Sequence, residues 1–427
     1  MANYKLETIA LHGGLSTNQT DSLGIAVHRT AAYKFRDTSH AADLFALKEM
    51  GNIYTRLMNP TQDILEKRVA ELECAGAALA LASGTSAIFY SVINICRQGD
   101  ELVSASNVYG GTYTMFDNIL PDFGIKTRFV DIQSTEAIEQ AINDKTRLIF
   151  TEVIGNPTLD VVNLRKLADI ADRYHLPLVV DSTFTTPCLI RPIEHGAHIV
   201  VHSLTKWMGG HGTGIGGIVV DSGKFAWTDE KFTLYNEPDK SYHGIRYAHD
   251  LGELNALAFI LRMRLVPLRN LGAAISPDNA WMFLQGIETL HLRMQCHSDN
   301  ALRVAEFLHT HADVKWVRYP GLEHDPSYEN AKLQFENGFG AMVVFGIKGG
   351  MHAGKQFINN LKLLSHVANV GDAKSLAIHP ASTTHSQLSE DQQHSGGISA
   401  DLIRLSIGIE NINDIIADIE QALKAVK

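Results

Sequence analysis

A single lysine, Lys206, lies in a glycine-rich segment that is enclosed by two apolar runs, residues 199–201 and 218–220. Short β-branched runs bounded by glycines are typical of strands, so the pattern predicts a strand, a turn that carries the lysine, and a second strand. A lysine amine at a sheet edge, among hydroxyl and apolar side chains, can lose enough hydration to act as a nucleophile. Most lysines are solvated surface residues, and spacing alone does not separate the two interpretations.

The same segment contains Gly212, Gly214 and Gly217 at the spacing of a dinucleotide-binding fingerprint. That fingerprint follows a strand and opens a helix. Here the glycines lead into the apolar run at residues 218–220, which is predicted to be a strand. We therefore interpret them as turn residues, and a nicotinamide-dependent dehydrogenase stays only an alternative.

Composition restricts the class of protein. The chain has 427 residues and a net charge of −10, which argues against a general binder of nucleic acid or anionic membranes. No apolar run approaches the roughly 18 residues of a membrane span, and the N-terminus has no signal pattern, so a cytoplasmic protein is expected. Its four cysteines are widely separated and its 20 histidines include no H-E-x-x-H motif, so no metal site is predicted.

Strand-like and helix-like segments alternate along the first half of the chain. This alternation predicts an α/β protein with a mostly parallel sheet and helices on both faces. In such sheets, ligands bind at the carboxyl ends of the strands. The polar groups expected at these ends are Ser83-Gly84-Thr85, Tyr109, Asn156, Asp181 and the Lys206 turn.

Three regions are expected along the chain. Residues 1–60 have little periodicity and are predicted to form an N-terminal arm that contacts a neighbouring subunit. Residues 61–280 should form the large domain, and residues 281–427 should form a smaller C-terminal α/β domain.

Two candidate sites have ordinary structural explanations. Ser83, Gly84 and Thr85 sit where a helix N-terminus could bind a phosphate, but small residues of this kind also cap helices. On spacing alone, Tyr54 and Arg56 fit a surface strand better than a site.

Together these groups are what an aldehyde cofactor with a phosphate tail requires. A lysine carries the aldehyde as a Schiff base, and a carboxylate keeps the pyridine nitrogen protonated so that the ring accepts electrons. Backbone N–H groups, hydroxyls and an arginine hold the phosphate, and a tyrosine ring stacks on the pyridine.

The chain resembles the pyridoxal phosphate enzymes of the Cys/Met-metabolism family, in the fold-type I, aspartate aminotransferase-like group. That group has a mostly parallel seven-stranded sheet with helices on both faces and a smaller C-terminal domain. The resemblance spans nearly the whole chain. The motifs that carry it are Tyr54-Thr55-Arg56, Ser83-Gly84-Thr85-Ser86-Ala87, Tyr109-Gly110-Gly111-Thr112, Asn156-Pro157-Thr158, Asp181-Ser182-Thr183-Phe184, Ser203-Leu204-Thr205-Lys206 and Arg404-Leu405-Ser406-Ile407-Gly408-Ile409-Glu410.

The resemblance implies pyridoxal 5'-phosphate bound as a Schiff base on Lys206, which is also the general acid and base. Asp181 would pair with the pyridine nitrogen, and Tyr109 would stack on the ring. Asn156 would lie near the cofactor hydroxyl, and Thr183 would also contact the cofactor.

The resemblance also implies the phosphate and substrate contacts. Arg404 would clamp the substrate α-carboxylate with help from Asn369. Tyr54 and Arg56 would reach the site from the neighbouring subunit, Tyr54 touching substrate as well, so at least a dimer is required and a homotetramer, a dimer of dimers, is expected. The phosphate ligands within one chain would be Ser83, Gly84, Thr85, Ser203 and Thr205.

Residues 242–290 indicate the subgroup. They resemble O-acetylhomoserine sulfhydrylases, and the length of this region supports that resemblance. Gly111 stands where dedicated methionine γ-lyases carry a cysteine, and Ser182 stands where the family often has asparagine. The subgroup motifs are Tyr242-His243-Gly244, Leu268-Arg269-Asn270-Leu271-Gly272, Ser276-Pro277-Asp278-Asn279-Ala280 and Leu284-Gln285-Gly286-Ile287-Glu288-Thr289-Leu290.

The reaction that this subgroup implies is γ-replacement, in which O-acetyl-L-homoserine and sulfide, or a small thiol, give L-homocysteine or its thioether and acetate. Such an alkyl transferase serves methionine biosynthesis. O-succinylhomoserine sulfhydrylase, cystathionine γ-synthase and methionine γ-lyase stay alternatives, as does a non-catalytic binding protein with the same fold.

Overall fold

A computed structural model of the chain describes residues 4–15, 21–384, 386 and 397–426. A seven-stranded sheet lies at its centre, in the order β1-β7-β6-β5-β4-β2-β3. Strands β2 to β6 are parallel, and β7 is antiparallel to both of its neighbours. The predicted fold class is therefore confirmed. The strands are β1 (Ala77–Leu81), β2 (Glu101–Ala105), β3 (Lys126–Val130), β4 (Thr146–Glu152), β5 (Leu178–Asp181), β6 (Ile199–Ser203) and β7 (Gly217–Asp221).

A second sheet of five strands follows, in the order β10-β11-β12-β9-β8. Apolar runs at residues 314–317, 341–345 and 401–406 predict three of these strands. The sequence does not predict β10 and β11, because two or three residues are too few to display a periodicity. The strands are β8 (Val314–Arg318), β9 (Met342–Ile347), β10 (Ser365–His366), β11 (Leu376–Ile378) and β12 (Leu402–Ser406).

Helices connect the strands of both sheets. Short 3₁₀ segments lie at Leu120–Phe123, Pro192–His195, Gly252–Leu257 and Pro380–Ser382, and π turns lie at Met115–Ile119 and Arg264–Leu268. The α-helices are α1 (Leu6–His12), α2 (Thr38–Phe45), α3 (Pro60–Leu72), α4 (Gly84–Ile93), α5 (Gly110–Thr114), α6 (Thr135–Ala141), α7 (Leu164–Arg173), α8 (Thr186–Leu189), α9 (Thr233–Asn236), α10 (Ala258–Met263), α11 (Arg269–Leu271), α12 (Pro277–Glu288), α13 (Leu290–Thr310), α14 (Tyr328–Gln334), α15 (Gly350–Asn360) and α16 (Ile412–Lys424).

The central strands are buried on both faces. Every residue of β7 and four of the five residues of β6 are buried, which is why these strands appear in the sequence as continuous apolar runs. The candidate site lies at the carboxyl ends of the parallel strands, where β5 ends at Asp181 and β6 ends at Ser203, beside the amino end of the antiparallel strand β7.

Local signals placed several helix ends correctly. The sequence Asn59-Pro60-Thr61 predicts a helix start with proline at the first helical position. In the structure Asn59 caps α3 by accepting a hydrogen bond from the Thr61 N–H, and Pro60 is the first helical residue. The helical spacing of Trp281, Leu284, Ile287, Leu290 and Met294 predicts one long helix from Asp278 to about His309, but the structure has two helices there. Thr289, at φ −109° and ψ 11°, lies outside the α-helical region and separates α12 from α13.

The N-terminal segment belongs partly to the large core. Ile9 and Ala10 of α1 are buried in the same apolar cluster as the seven-stranded sheet. The proposed region boundaries at residues 60 and 280 stay predictions. Within the described residues, no helix is both long and apolar enough to span a membrane.

Candidate active site

Lys206 lies in a tight turn between β6 and β7. Its N–H donates to the Ser203 carbonyl (3.1 Å), and its own carbonyl accepts from the Gly210 N–H (2.7 Å). The Thr205 hydroxyl accepts from the Gly216 N–H (3.1 Å) and donates to the Gly216 carbonyl (3.2 Å), which ties the turn to the start of β7. The expected strand–turn–strand arrangement is therefore present.

The Lys206 amine is partly buried and points towards the loop between β10 and β11 of the five-stranded sheet. Its Nζ donates to Asn369 Oδ1 at 2.5 Å. Burial lowers the pKa of Lys206 to about 8, and the positive charge of Arg404 contributes to the decrease. Near neutral pH, an appreciable share of this amine is therefore uncharged and able to act as a nucleophile or base.

A carboxylate stands at the carboxyl end of the neighbouring strand β5. Asp181 Oδ1 accepts from both the Thr183 N–H (2.9 Å) and the Thr183 hydroxyl (2.5 Å). The Thr183 hydroxyl oxygen in turn accepts from the Ser203 N–H (2.9 Å). This chain of hydrogen bonds joins Asp181 to the strand that leads to Lys206. Burial raises the pKa of Asp181, while the Thr183 hydrogen bonds oppose that increase.

A helix N-terminus borders the same edge. Gly84 and Thr85 are the first two residues of α4, whose first N–H groups have no acceptor within the helix. Ser83 caps α4 by accepting from the Ser86 N–H (3.0 Å), so its hydroxyl already has a structural partner. A Cβ at position 84 would lie 2.7 Å from the Ser203 Cβ, so only glycine leaves room beside Ser203.

Arg404, on β12, reaches the large sheet from the second one. Its Nη1 donates to Asn156 Oδ1 at 3.2 Å. Burial lowers the pKa of Arg404 to about 10, and Tyr109 lies close enough to oppose that decrease. The exposed ring of Tyr109 precedes α5, and its N–H donates to Glu152 Oε1 at 2.7 Å. An arginine, an amide and an aromatic ring therefore converge beside Lys206.

The second sheet is held close to the lysine turn by Gly371. Its φ is +80°, and a Cβ there would lie 2.7 Å from the Trp207 backbone N and 2.9 Å from the Lys206 carbonyl carbon. The close approach requires glycine. It brings Asn369, two residues earlier, to the amine.

Tyr54 and Arg56 lie in the segment that precedes α3. Both are exposed, and the Arg56 guanidinium sits over the Tyr54 ring, 5.0 Å from its centroid. Within the described part of the chain, no hydrogen bond or ion pair joins either side chain to Lys206 or Asp181.

Two residues without a predicted role support the site. Glu152, at the end of β4, anchors the backbone of Tyr109. Arg293 on α13 is buried and donates to the carbonyls of Trp207 (2.7 Å), Gly286 (2.6 Å) and Met208 (3.3 Å), which fixes the chain just after Lys206. Arg293 sits among the apolar positions of its helix, and no motif around it indicates this role.

The donors and acceptors fit pyridoxal phosphate. The amine of Lys206 could form a Schiff base with an aldehyde, and the carboxylate of Asp181 could pair with a pyridinium nitrogen. The N–H groups at the start of α4, beside Ser203, could bind a phosphate. Among the described residues, no cluster of His, Cys, Asp or Glu side chains could hold a metal ion. The fold and the site thus define a fold-type I enzyme that uses this cofactor.

Comparison with known proteins identifies the family. Residues 7–424 match the model of the Cys/Met metabolism PLP-dependent enzymes, and the chain belongs to that family. It is 52% identical to an O-acetyl-L-homoserine sulfhydrylase of Leptospira meyeri, over 99% of this chain and 98% of that protein. It is 46% identical to a homocysteine synthase of Schizosaccharomyces pombe, over 98% of each.

A solved structure has the same fold. A candidate O-acetylhomoserine (thiol)-lyase of Campylobacter jejuni superposes with a TM-score of 0.95 at 38% identity, over 99% of this chain and 100% of that one. That structure carries a pyridoxyl-lysine monophosphate.

Proposed function

We propose that the chain catalyses γ-replacement, in which O-acetyl-L-homoserine and sulfide give L-homocysteine and acetate. The Cγ–O bond to the acetyl group breaks, acetate leaves with the electron pair, and sulfide forms the Cγ–S bond. The similarity to an O-acetyl-L-homoserine sulfhydrylase and a homocysteine synthase over nearly their whole lengths supports this reaction.

The observation that carries the proposal is the position of the Lys206 amine. It lies 2.5 Å from Asn369, its pKa is lowered to about 8, and Arg404 is near enough to contribute to that decrease. A base of this kind beside an arginine suits an α-amino acid, because the arginine can bind the carboxylate while the amine handles the α-proton.

Pyridoxal phosphate supplies an electron sink when it is bound. We assign its attachment to Lys206, its pyridine nitrogen to Asp181 and its ring face to Tyr109. Asn156 and Thr183 complete the ring contacts. The phosphate ligands that we assign within this chain are Ser83, Gly84, Thr85, Ser203 and Thr205.

The side chains of this protein then perform the binding and proton transfers. Arg404 holds the substrate carboxylate, with Asn369 beside it. Lys206 removes the α-proton and later returns a proton to carbon. Asn369 accepts from the lysine Nζ and so keeps the free amine directed into the site between these transfers.

We also propose that Tyr54 and Arg56 complete the phosphate and substrate contacts of a second copy, so that the working unit is a homotetramer built from two dimers. Their exposure supports this, as does the fact that, among the described residues, neither side chain forms a hydrogen bond or ion pair with Lys206. The proposal includes a cytoplasmic location, which the free thiols of all four cysteines support. It also holds that the chain binds neither nucleic acid nor a membrane surface, in line with its net charge of −10.

Steady-state turnover tests the reaction. O-acetylhomoserine with sulfide should give homocysteine at a kcat/KM at least about tenfold above that of O-succinylhomoserine or O-acetylserine. Preference for the succinyl ester, or for cysteine as acceptor, would replace the proposal by the corresponding synthase. Release of α-ketobutyrate from methionine without an acceptor, as the fastest reaction, would replace it by a lyase.

A further inference from the structure

Glu152 and Asp181 form a pair of neighbouring carboxyl groups at the site. They are the last residues of β4 and β5, and they lie directly opposite each other in the parallel register. Residues in register on adjacent strands point to the same face of the sheet, with the strands about 4.8 Å apart. Two acidic side chains therefore share one edge, at the end where the cofactor would bind.

The two carboxyl groups have different hydrogen-bond partners. Asp181 accepts two hydrogen bonds from Thr183 on a single oxygen. Glu152, which is buried at 8% exposure, accepts one, from the Tyr109 N–H at 2.7 Å. Among the described residues, no lysine, arginine or histidine forms an ion pair with Glu152. A neutral carboxyl can still accept this bond through its carbonyl oxygen.

We propose that Glu152 is a positioning residue that keeps its proton, so that the pair carries one negative charge, located on Asp181, while Glu152 fixes the backbone of Tyr109. This inference rests on the proposed function only for the identity of the cofactor. It assigns Glu152 two tasks, one electrostatic and one geometric, and a substitution can separate them.

The surrounding groups favour this assignment of the proton. Burial raises the pKa of Glu152 well above its ordinary value, and the charge of Asp181 raises it further. Burial also raises the pKa of Asp181, but the Thr183 hydrogen bonds and His202 on β6 lower it. His202 is itself bonded to Glu73, at 2.6 Å. Like charges this close do not both ionise readily, so the better-bonded carboxyl keeps the charge.

The test compares Glu152→Gln with Glu152→Ala. Glutamine keeps a carbonyl oxygen for the Tyr109 N–H but cannot ionise, whereas alanine removes both functions. The readout is the dissociation constant of pyridoxal phosphate, measured by titrating the apo-protein from pH 6 to pH 9. This measurement needs no amino-acid substrate, so it stands whichever ester the enzyme prefers.

We expect Glu152→Ala to weaken cofactor binding by at least about tenfold at pH 6, since a buried N–H loses its acceptor, and Glu152→Gln to recover most of that loss. Because glutamine mimics the protonated carboxyl, the ratio of the wild-type and Glu152→Gln affinities should stay constant with pH for as long as the wild type keeps this proton. Equal losses in the two variants at pH 6 would overturn the proposal, because they would mean that the charge of Glu152 is needed.

Thermal unfolding of the apo-protein gives a second readout. A carboxyl whose pKa is raised by folding stabilises the protein fully below its unfolded pKa, and this stability is lost as pH rises through the folded pKa. The wild type should therefore lose stability relative to Glu152→Gln as pH increases. A difference that does not vary with pH would contradict a retained proton.

Asp221→Asn is the matched control. Asp221 is a buried carboxyl at the end of β7, and burial raises its pKa to about 7. Because β7 is antiparallel to β6, Asp221 lies at the opposite edge of the sheet. This substitution should change the pH dependence of apo-protein stability but not the pH dependence of cofactor affinity.

Discussion

Two regions that are both assigned to the site differ in how they are held. Asp181, Thr183 and Ser203 form a continuous chain of hydrogen bonds at the edge of the large sheet, and the amine of Lys206 is bonded to Asn369. Tyr54 and Arg56, by contrast, are exposed, and the Arg56 guanidinium lies over the Tyr54 ring.

This difference indicates which of the proposed functional groups a single chain can position by itself. The lysine, the carboxylate and the substrate arginine are positioned by strands of the same chain. The proposed phosphate arginine, Arg56, is exposed, and among the described residues it forms no hydrogen bond or ion pair with any of these three groups. Substitutions in the first region should therefore act within one chain, and substitutions at Arg56 should act across a subunit boundary.

The largest effect is expected for Lys206→Ala. The amine is needed both to attach the cofactor and to transfer the α-proton. Turnover should therefore fall by at least about 10³-fold when it is removed. The visible absorbance of the lysine-bound cofactor should disappear as well. Lys67→Ala is the control, since Lys67 is an exposed lysine paired with Asp63. Retention of the absorbance in Lys206→Ala would move the attachment to another lysine.

Arg404→Lys should have the next largest effect. Lysine keeps the charge but lacks the planar fork that binds a carboxylate through two bonds, and it also loses the contact with Asn156. We expect kcat/KM for the amino acid to fall by about 10²-fold, mostly through KM, with cofactor affinity nearly unchanged. A fall in kcat alone would indicate that Arg404 acts on the reacting atoms rather than on substrate binding.

Arg56 is best tested in mixed oligomers. Arg56→Ala should weaken cofactor binding by about tenfold. When Arg56→Ala and Lys206→Ala subunits are dissociated and reassembled together, a mixed dimer contains one site with an intact lysine and an intact partner arginine. Random pairing then restores about a quarter of the native sites.

Absence of this recovery would place Arg56 in the site of its own chain or outside the site altogether. Arg36→Ala is the matched control. Arg36 is an exposed arginine of the same N-terminal region, paired with Glu49, and its loss should leave cofactor binding unchanged.

The sequence predicted what periodicity and strand ends can encode. The alternating elements predicted a mostly parallel α/β sheet, the family resemblance implied its seven strands, and the polar residues at the strand ends included Asp181 and Lys206. It could not assign a role to Glu152, because that role depends on which residue of β5 lies opposite it. Pairing register between distant strands leaves no local pattern.

Arg293 was missed for a different reason. Its helix has an apolar stripe that faces the core. Arginine side chains are mostly exposed, so an arginine in such a helix is ordinarily expected to reach solvent. Only the fold reveals that three carbonyls from two other segments surround its guanidinium. The roles proposed for Tyr54 and Arg56 involve a second copy of the chain, so neither the periodicity nor the structure of one chain tests them.

The smallest expected effect concerns the titration of Lys206. Its pKa of about 8 predicts that the rate at which the apo-protein binds pyridoxal phosphate rises with pH to a midpoint near that value, because only the uncharged amine attacks the aldehyde. Arg404→Leu removes a positive charge that lowers this pKa, so it should move the midpoint to higher pH. Stopped-flow absorbance from pH 6 to pH 10 measures both. A wild-type midpoint near 10.5, the ordinary lysine value, would mean that burial within one chain does not activate the amine.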